Sequence, residues 1–260
     1  MKNTFITTLL SSLALLSLNT ATAKTYTIVV DKDSTPEQTA NTIVRHMLTE
    51  MGNQALEERA AKGDKEAMLE LGKRIATRDY LPDDQKLACS CLKMAAETGD
   101  ATALFEMGRF AIYGFGMEKN PAKAAEWFRK AGEAGNSEGW RLLGTMTYNG
   151  MGIKADTQKA IEYWQKAADA GNGWAHNDLG QCYFRGDGVP KDWAKAIQLW
   201  SKGAELGDAG AQFNLAVCYL NGEEVKQDKA TARKWFEAAA EQGHEGAMRA
   251  LYQMEGEEEE

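Results

Sequence analysis

Residues 173–207 read GWAHNDLGQCYFRGDGVPKDWAKAIQLWSKGAELG, and the spacing of the apolar residues and glycines in this sequence predicts its structure. In its first half the apolar residues, beginning with Ala175 and Leu179, follow one another at steps of three and four, which places them on one face of a helix. The glycines of residues 186–188 predict the end of that helix and a turn. Asp192 is placed to cap a second helix with the same apolar spacing. The stretch therefore predicts one helical hairpin.

This hairpin is one unit of a series, because three sets of residues return at an interval of 36. The interval predicts a tandem array of stacked helical hairpins in which each unit contacts its neighbours. Small residues on each first helix are expected to face large aromatic residues on each second helix. We therefore expect an all-α fold, a right-handed α/α superhelix (solenoid). The three sets are Gly63, Gly99, Gly135, Gly171, Gly207 and Gly243, then Leu71, Met107, Leu143, Leu179, Leu215 and Leu251, then Ala67, Ala103, Gly139, Ala175, Ala211 and Ala247. The small residues of the first helices are Gly108, Gly144, Gly180 and Ala216. The aromatic residues of the second helices are Phe128, Trp164, Trp200 and Phe236.

The repeated pattern A-x-x-x-L-G-x-x-Y-x-x-G-x-G-V-x-x-D, followed by K-A and A-A-x-x-G, resembles the Sel1-like repeat family, a relative of the tetratricopeptide repeats. The 36-residue interval and the Gly-x-Gly turn favour this family over the tetratricopeptide form of about 34 residues. Residues 100–207 match the pattern closely. Two units depart from it, since residues 78–80 read RDY and residues 222–224 read GEE. Those two turns are therefore expected to differ in shape.

The interval divides the chain into an array of 36-residue helix-turn-helix repeats and shorter flanking segments. Before the array, the β-prone residues 24–30 (KTYTIVV) predict a short extended stretch. The expected boundaries are 1–23 for a signal peptide, 24–36 for the extended N-terminal segment, 37–63 for a degenerate capping hairpin half, 64–254 for the array and 255–260 for an acidic tail. Within the array the units are 64–99, 100–135, 136–171, 172–207, 208–243 and a partial unit at 244–254.

The first 23 residues are typical of a secretory signal peptide. Lys2 precedes a mostly apolar run from residue 5 to residue 18, and Ala21-Thr22-Ala23 predicts a cleavage site after Ala23. The apolar run is shorter than the about 20 residues needed to cross a bilayer, which argues against the alternative, a membrane anchor. We expect an exported protein, periplasmic or secreted, that is not inserted in the membrane.

Charge and motif content argue against several functions. The formal net charge of the 260 residues is −8 at pH 7, which argues against nucleic acid as a partner. His46, His176 and His244 do not stand in a recognised metal or haem motif, so we predict no metal and no cofactor. Aspartates that recur at the start of the second helix, such as Asp192, are interpreted as helix caps rather than acid/base pairs. We predict that the chain is not an enzyme.

The four cysteines of this exported chain raise the question of disulfides. Cys89 and Cys91 lie two residues apart on one predicted helix and therefore point to different faces. Cys182 and Cys218 occupy the same place in successive units, whose like helices lie about 9–10 Å apart. A disulfide requires Cα atoms within about 7 Å. We expect the cysteines to be small core thiols.

The surface that varies while the core repeats is the best candidate for binding. In related helical-repeat families one face of each first helix lines the concave groove, and the resemblance implies that the matching positions bind a partner here. Aromatic residues interleaved with Arg and Asn are typical of interaction hot spots. The alternative is that several of the aromatic residues simply pack against the adjacent unit. The predicted groove residues are Phe105, Arg109, Tyr113, Arg141, Tyr148, Trp174, Asn177, Gln181, Arg185 and Phe213.

The leading hypothesis is a non-catalytic scaffold or adaptor of the bacterial envelope that binds a protein or peptide in this groove, as a monomer or weak homo-oligomer. The resemblance implies this role, because exported members of the family act as adaptors and, in some cases, as immunity proteins beside toxic effectors. A periplasmic immunity protein is therefore the first alternative. An alternative of another class is a hydrolase of the cell wall or of β-lactams. A third is a structural part of an envelope assembly that uses residues 24–33 to join a neighbour.

Overall fold

The computed structural model describes residues 55, 56, 58–60, 62, 64, 66, 67, 70 and 71 and all residues from 82 to 258, with the side chains of this second range except those of 82–84, 87, 88 and 256–258. All of these residues but the first belong to one compact unit, residues 56–260. The predicted signal peptide, the extended segment 24–36, most of the capping half 37–63 and the turn at 78–80 lie outside the described residues.

Ten helices follow one another between residues 82 and 258. Each helix from α2 to α9 contains 13 residues. No strand occurs among the residues that the structure describes, and the all-α prediction is confirmed. The helices are α1 (Pro82–Glu97), α2 (Ala101–Tyr113), α3 (Pro121–Glu133), α4 (Ser137–Asn149), α5 (Thr157–Asp169), α6 (Gly173–Arg185), α7 (Trp193–Glu205), α8 (Ala209–Asn221), α9 (Lys229–Glu241) and α10 (Glu245–Glu258).

The helices pair into hairpins that stack in chain order. Complete hairpins are formed by α2 with α3, α4 with α5, α6 with α7, and α8 with α9. The second helix of an earlier unit, α1, precedes them, and α10 follows as a first helix. Each helix contacts the one before it and the one after it, and α6 also contacts α8. Packing between neighbours along the chain is that of an α-solenoid.

A polar side chain fixes the start of each helix from α2 to α9. Its oxygen accepts a hydrogen bond from the backbone N–H two or three residues later, which satisfies a donor that has no partner inside the helix. At the start of α10 His244 stands in the same register, and its Nδ1 accepts from the N–H of Ala247 at 3.2 Å. The prediction that the recurring aspartates are caps is confirmed. The caps are Asp100, Asn136, Asn172 and Asp208 on first helices and Asn120, Asp156, Asp192 and Asp228 on second helices.

The glycines that return every 36 residues are required by the backbone rather than by space. From Gly99 to Gly243 the described members of the series have φ between +82° and +99°, a region that side chains with a Cβ disfavour. A Cβ added at any of them would meet no atom within 4 Å. Each of these glycines ends a second helix and lets the chain turn into the next unit.

Within each hairpin the close contact lies between a small residue and a ring, as predicted. A Cβ built on Gly108 would lie 2.5 Å from the ring of Phe128, and one built on Gly180 would lie 2.5 Å from Nε1 of Trp200. The same relation holds for Gly144 and Trp164, at 2.6 Å. In the last complete hairpin Ala216 and Phe236 share a buried cluster. The ring is therefore phenylalanine opposite Ala216 and opposite Gly108, and both tryptophan rings lie opposite glycine.

The second glycine of each Gly-x-Gly turn lies against the preceding unit. A Cβ on Gly188 would approach Cγ2 of Thr157 to 2.7 Å, and Gly116 and Gly152 are still closer to the preceding backbone. These glycines also have positive φ, from +60° to +73°. Contrary to expectation, the turn at residues 222–224 keeps the same conformation, because Glu224 adopts φ 56° in place of the glycine.

The four cysteines are free thiols, and the expectation of core thiols is confirmed for the three that are buried, Cys91, Cys182 and Cys218. The remaining one, Cys89, is partly buried. Removal from water raises the pKa of Cys182 and that of Cys218 to about 11 each, because burial disfavours the thiolate. These thiols therefore behave as small apolar core groups.

The last helix differs from the other first helices at one position of the repeat. The residue 36 positions after Ala216 is Tyr252, whose side chain is 80% exposed. Every other described first helix carries a glycine or alanine here, beneath a ring from the next helix. The helix itself continues to Glu258, four residues into the segment predicted as an acidic tail, in keeping with the high helix propensity of glutamate.

We expect Gly180→Ala to lower the free energy of unfolding by about 1–2 kcal/mol, although alanine favours helix, because the methyl group overlaps Trp200. The control is the double variant Gly180→Ala/Trp200→Phe, which copies the pair Ala216 and Phe236. Chemical denaturation should show the double variant to be more stable than the sum of the single variants predicts. Strictly additive losses would mean that this ring contact does not exclude alanine.

We expect Glu224→Gly to raise the free energy of unfolding by about 0.5 kcal/mol, since glycine removes the strain of the positive φ at a smaller cost in chain entropy. Glu224→Ala is the matched control, because it removes the charge and keeps the Cβ. Thermal melts of both variants decide the question. An equal gain from alanine would assign the effect to charge instead of backbone conformation.

Candidate functional site

All ten predicted groove residues lie on the first helices α2, α4, α6 and α8, and we refer to them together as the first-helix surface. Tyr113 and Trp174 are the most exposed of its aromatic residues, at 61% and 56%. Arg185 is also exposed at the end of α6, whereas Gln181 is partly buried. The structure thus brings the ten residues to consecutive first helices but exposes them to different degrees.

Three aromatic residues of the first-helix surface also contact the interior of their own hairpin. The ring centroid of Phe105 lies 5.6 Å from that of Phe128, and Phe213 lies 5.7 Å from Phe236. The ring of Tyr148 lies 5.5 Å from that of Trp164, and its hydroxyl donates to Asp187 at 3.1 Å. These partly buried rings pack against the second helix of the same unit.

The polar residues of the first-helix surface have partners on neighbouring positions. Arg109 forms an ion pair with Glu106 at 3.1 Å on α2. Asn177 on α6 accepts a hydrogen bond at 2.9 Å from the side chain of Asn214 on α8. The second of these contacts joins two units, so part of this surface is held by bonds between neighbouring hairpins.

The centre of the surface is a group that we call the Arg141 cluster, formed by Glu138, Arg141, Asn172, Trp174 and Asp178. The guanidinium of Arg141 donates to both carboxylate oxygens of Glu138 at 2.5–3.0 Å and lies 5.7 Å from the ring centroid of Trp174. Asn172, the cap of α6, donates to Glu138 at 2.9 Å. The cluster therefore joins α4 to α6.

Asp178 is the least satisfied member of the Arg141 cluster. One of its carboxylate oxygens is removed from solvent and accepts no hydrogen bond, and the nearest nitrogen of Arg141 is 3.7 Å away. Burial raises the pKa of Asp178 to about 6, against the attraction of Arg141, and the charges of Asp208 and Glu138 raise it further. Burial also raises the pKa of Asp208.

Among the residues that the structure describes, no group of His, Cys, Asp and Glu could hold a metal ion. A search of the same residues finds no helix long and apolar enough to cross a membrane.

A model of the Sel1 repeat matches the chain five times, at residues 65–100, 101–136, 141–172, 175–208 and 209–244. The chain belongs to the Sel1 repeat family. Proteins of this family are generally protein-interaction scaffolds rather than catalysts.

Similarity to solved structures supports the assignment of this chain to the Sel1 repeat family. A Sel1 repeat protein from Oxalobacter formigenes is 32% identical, with a TM-score of 0.71, and the match covers 80% of this chain and 86% of that one. The protective antigen c5321 of uropathogenic Escherichia coli strains is 30% identical, with a TM-score of 0.68 and coverages of 78% and 43%. The immunity protein Pa5087 from Pseudomonas aeruginosa is 24% identical, with a TM-score of 0.51 and coverages of 70% and 67%, which shows the fold alone. A comparison with curated proteins found no match.

The sequence predicts no nucleophile elbow and no Ser-x-x-Lys motif, yet both spacings occur in this Sel1 repeat protein. Residues 135–139 read GNSEG, a G-x-S-x-G spacing, but they join α3 to α4, whereas a nucleophile elbow joins a strand to a helix. Ser90 and Lys93 have the Ser-x-x-Lys spacing and are exposed on α1. The hydroxyl of Ser90 donates to the carbonyl of Lys86 at 3.0 Å, a bond common on helix surfaces.

Sequence reasoning missed Asp178 as a member of the site. The corresponding residues in other repeats are Glu70, Glu106, Leu142 and Asn214, so an acidic residue at this position gave no signal by itself. Its burial was not visible, because it depends on α4 and on the start of α8. Only the stacked structure shows that Asp178 lies near Arg141 and Asp208.

We expect Asp178→Asn to raise the free energy of unfolding at pH 7.5 by about 1–2 kcal/mol, because charged Asp178 is poorly satisfied. In the folded protein Asp178 takes up a proton below about pH 6, while the unfolded chain does so near its ordinary pKa, so the wild type gains stability as the pH falls from 6 towards 4. The gain from the substitution should therefore shrink over this range in denaturation measured at several pH values.

The exposed Asp169→Asn on α5 is the control for this pH series. It makes the same chemical change outside the cluster. A gain from Asp178→Asn that stays constant between pH 7.5 and pH 4 would contradict the assigned burial of this carboxylate.

Proposed function

We propose that this Sel1 repeat protein is an exported, non-catalytic scaffold that holds a protein or peptide on the first-helix surface. The observation that carries the proposal is the contrast between buried and exposed positions of the first helices. Two residues after the cap, the exposed or partly exposed position changes through Thr102, Glu138, Trp174 and Gly210. One position later the residue is buried and always small, as in Ala103 and Gly139. The fold therefore requires a small residue three positions after the cap. It leaves the residue two positions after the cap free to be selected for binding a partner.

Trp174 supports this assignment as the anchor of the surface. It is a large aromatic side chain that is more than half exposed on a rigid helix. Tryptophan and arginine dominate binding energies at protein interfaces, and a pre-ordered side chain loses little entropy on binding. The contact between Trp174 and Arg141 brings these two residue types together.

Export to the periplasm, or secretion, belongs to the proposal and is supported by the sequence of residues 1–23. The immunity hypothesis has no separate support, because the likeness to the immunity protein Pa5087 shows the fold alone. A toxic effector is one kind of partner that the experiment below would identify.

Site-specific photo-crosslinking tests the proposal in cells that produce the full chain. p-Benzoylphenylalanine is placed at Trp174 on the first-helix surface and, as a matched control, at exposed Gln198 on the second helix α7. We expect a discrete adduct from position 174 and none from position 198. Mass spectrometry of the adduct identifies the partner.

A second arm places the crosslinker at Tyr113 and adds Trp174→Ala. We expect at least a fivefold smaller yield of adduct, because truncation of an anchoring tryptophan costs about 2 kcal/mol or more of binding energy. The fold should be preserved, since exposed substitutions change stability by about 0.5 kcal/mol or less. Equal adducts from positions 174 and 198, or turnover of β-lactam or peptidoglycan by the purified protein, would contradict the proposal.

A further inference from the structure

We propose that the partner inserts a lysine or arginine side chain into the Arg141 cluster, where its cationic group lies between the exposed ring of Trp174 and the carboxylate of Asp178. This inference rests on the proposed function, because it names the chemistry of the partner on the same surface. It adds a recognition element that the repeat pattern does not contain.

The charges of the site favour an additional cation. Glu138 accepts both of the short hydrogen bonds that Arg141 donates within α4, so this pair is satisfied by itself. Asp178 has Arg141 only at 3.7 Å, and Asp208 is buried as the cap of α8. Two carboxylates therefore remain close to a single guanidinium that Glu138 already neutralises. A second cation would offset one of these two charges.

Asp178 is held in an unfavourable state in the free protein. Its side chain is 29% exposed, but one of its carboxylate oxygens is removed from solvent and accepts no hydrogen bond. The raised pKa of this group, about 6, reflects the same burial. Groups held in such an unfavourable state on an exposed surface are frequent at functional sites. An incoming ammonium or guanidinium group would relieve the unfavourable state.

The ring of Trp174 supplies a second group that attracts cations. Arg141 lies 5.7 Å from its centroid, and more than half of the side chain stays exposed. Indole rings attract cations through the negative potential of their faces. An exposed indole beside an unsatisfied carboxylate presents both interactions that recognise a lysine or arginine side chain.

Lysine is distributed unequally between the two kinds of helix. No lysine occurs in α2, α4, α6 or α8. Each of the second helices α3, α5, α7 and α9 contains two lysines. The cationic residues among the ten of the first-helix surface are therefore the three arginines Arg109, Arg141 and Arg185.

The other arginines of the first-helix surface do not fill the site. Arg109 is paired with Glu106 on α2. Arg185 lies seven residues after Asp178 on the same helix, which corresponds to about 10 Å along the axis, and its side chain is exposed. Neither residue supplies a second cation beside Asp178 in addition to Arg141.

Isothermal titration of the full chain with three blocked hexapeptides, in which glycine alternates with lysine, arginine or glutamate, tests this inference. We expect the lysine and arginine peptides to bind and the glutamate peptide not to bind, with affinity that falls as salt is raised to about 0.15 M. Asp178→Asn and Trp174→Ala should each weaken binding of the basic peptides at least about fivefold. Asp169→Asn, the same change on the exposed surface of α5, should weaken it less than about twofold.

The outcomes separate this inference from the proposed function. Equal effects of Asp178→Asn and Asp169→Asn, or failure of both basic peptides to bind the wild type, would overturn the inference, while an adduct from position 174 would still support the scaffold. Binding of basic peptides that depends on Asp178, without any adduct from position 174, would support the cation site and contradict the scaffold. Thermal melts show whether each variant is folded.

Discussion

The array depends on one contact, made where a small residue on a first helix meets an aromatic ring on the second helix of the same hairpin. At Gly108, Gly144 and Gly180 even a methyl group would overlap the ring. The close approach lets a pair of 13-residue helices bury large rings that neither helix could bury alone. Since the same contact recurs in each unit, the two helices of every hairpin lie at a similar distance from each other, and the hairpins can stack in register.

Regular stacking also creates the candidate site. The Arg141 cluster combines side chains from α4 and α6, and Asp208, which influences it electrostatically, caps α8. Neither hairpin contains the whole cluster by itself. A change in the spacing of the hairpins would therefore separate the charges even if each hairpin remained folded. The identical core positions hold the different surface residues at fixed distances.

The fold could be predicted because the features that fix it recur in the sequence. Gly99 and its counterparts share a positive φ, and Gly180 and its counterparts share a ring contact, so both appear at intervals of 36. The site could be predicted only in part. The exposure of Trp174 and Tyr113 is not readable from the residue types, and the burial of Asp178 depends on two other helices. Phe105 and Tyr148 lie on the expected helices, yet their rings also belong to the interior.

Tyr252 bears on how this scaffold could be lengthened. Repeat proteins are modular because each unit offers the next unit the same packing surface. Engineered arrays are therefore lengthened by appending units. At the position where earlier first helices present a shallow notch for a ring, α10 presents a phenol group that stands out into solvent. The ring of an appended second helix would clash with this phenol group before it could pack against α10. Extension on this side therefore requires glycine or alanine at position 252. One side chain thus breaks the modularity of the array.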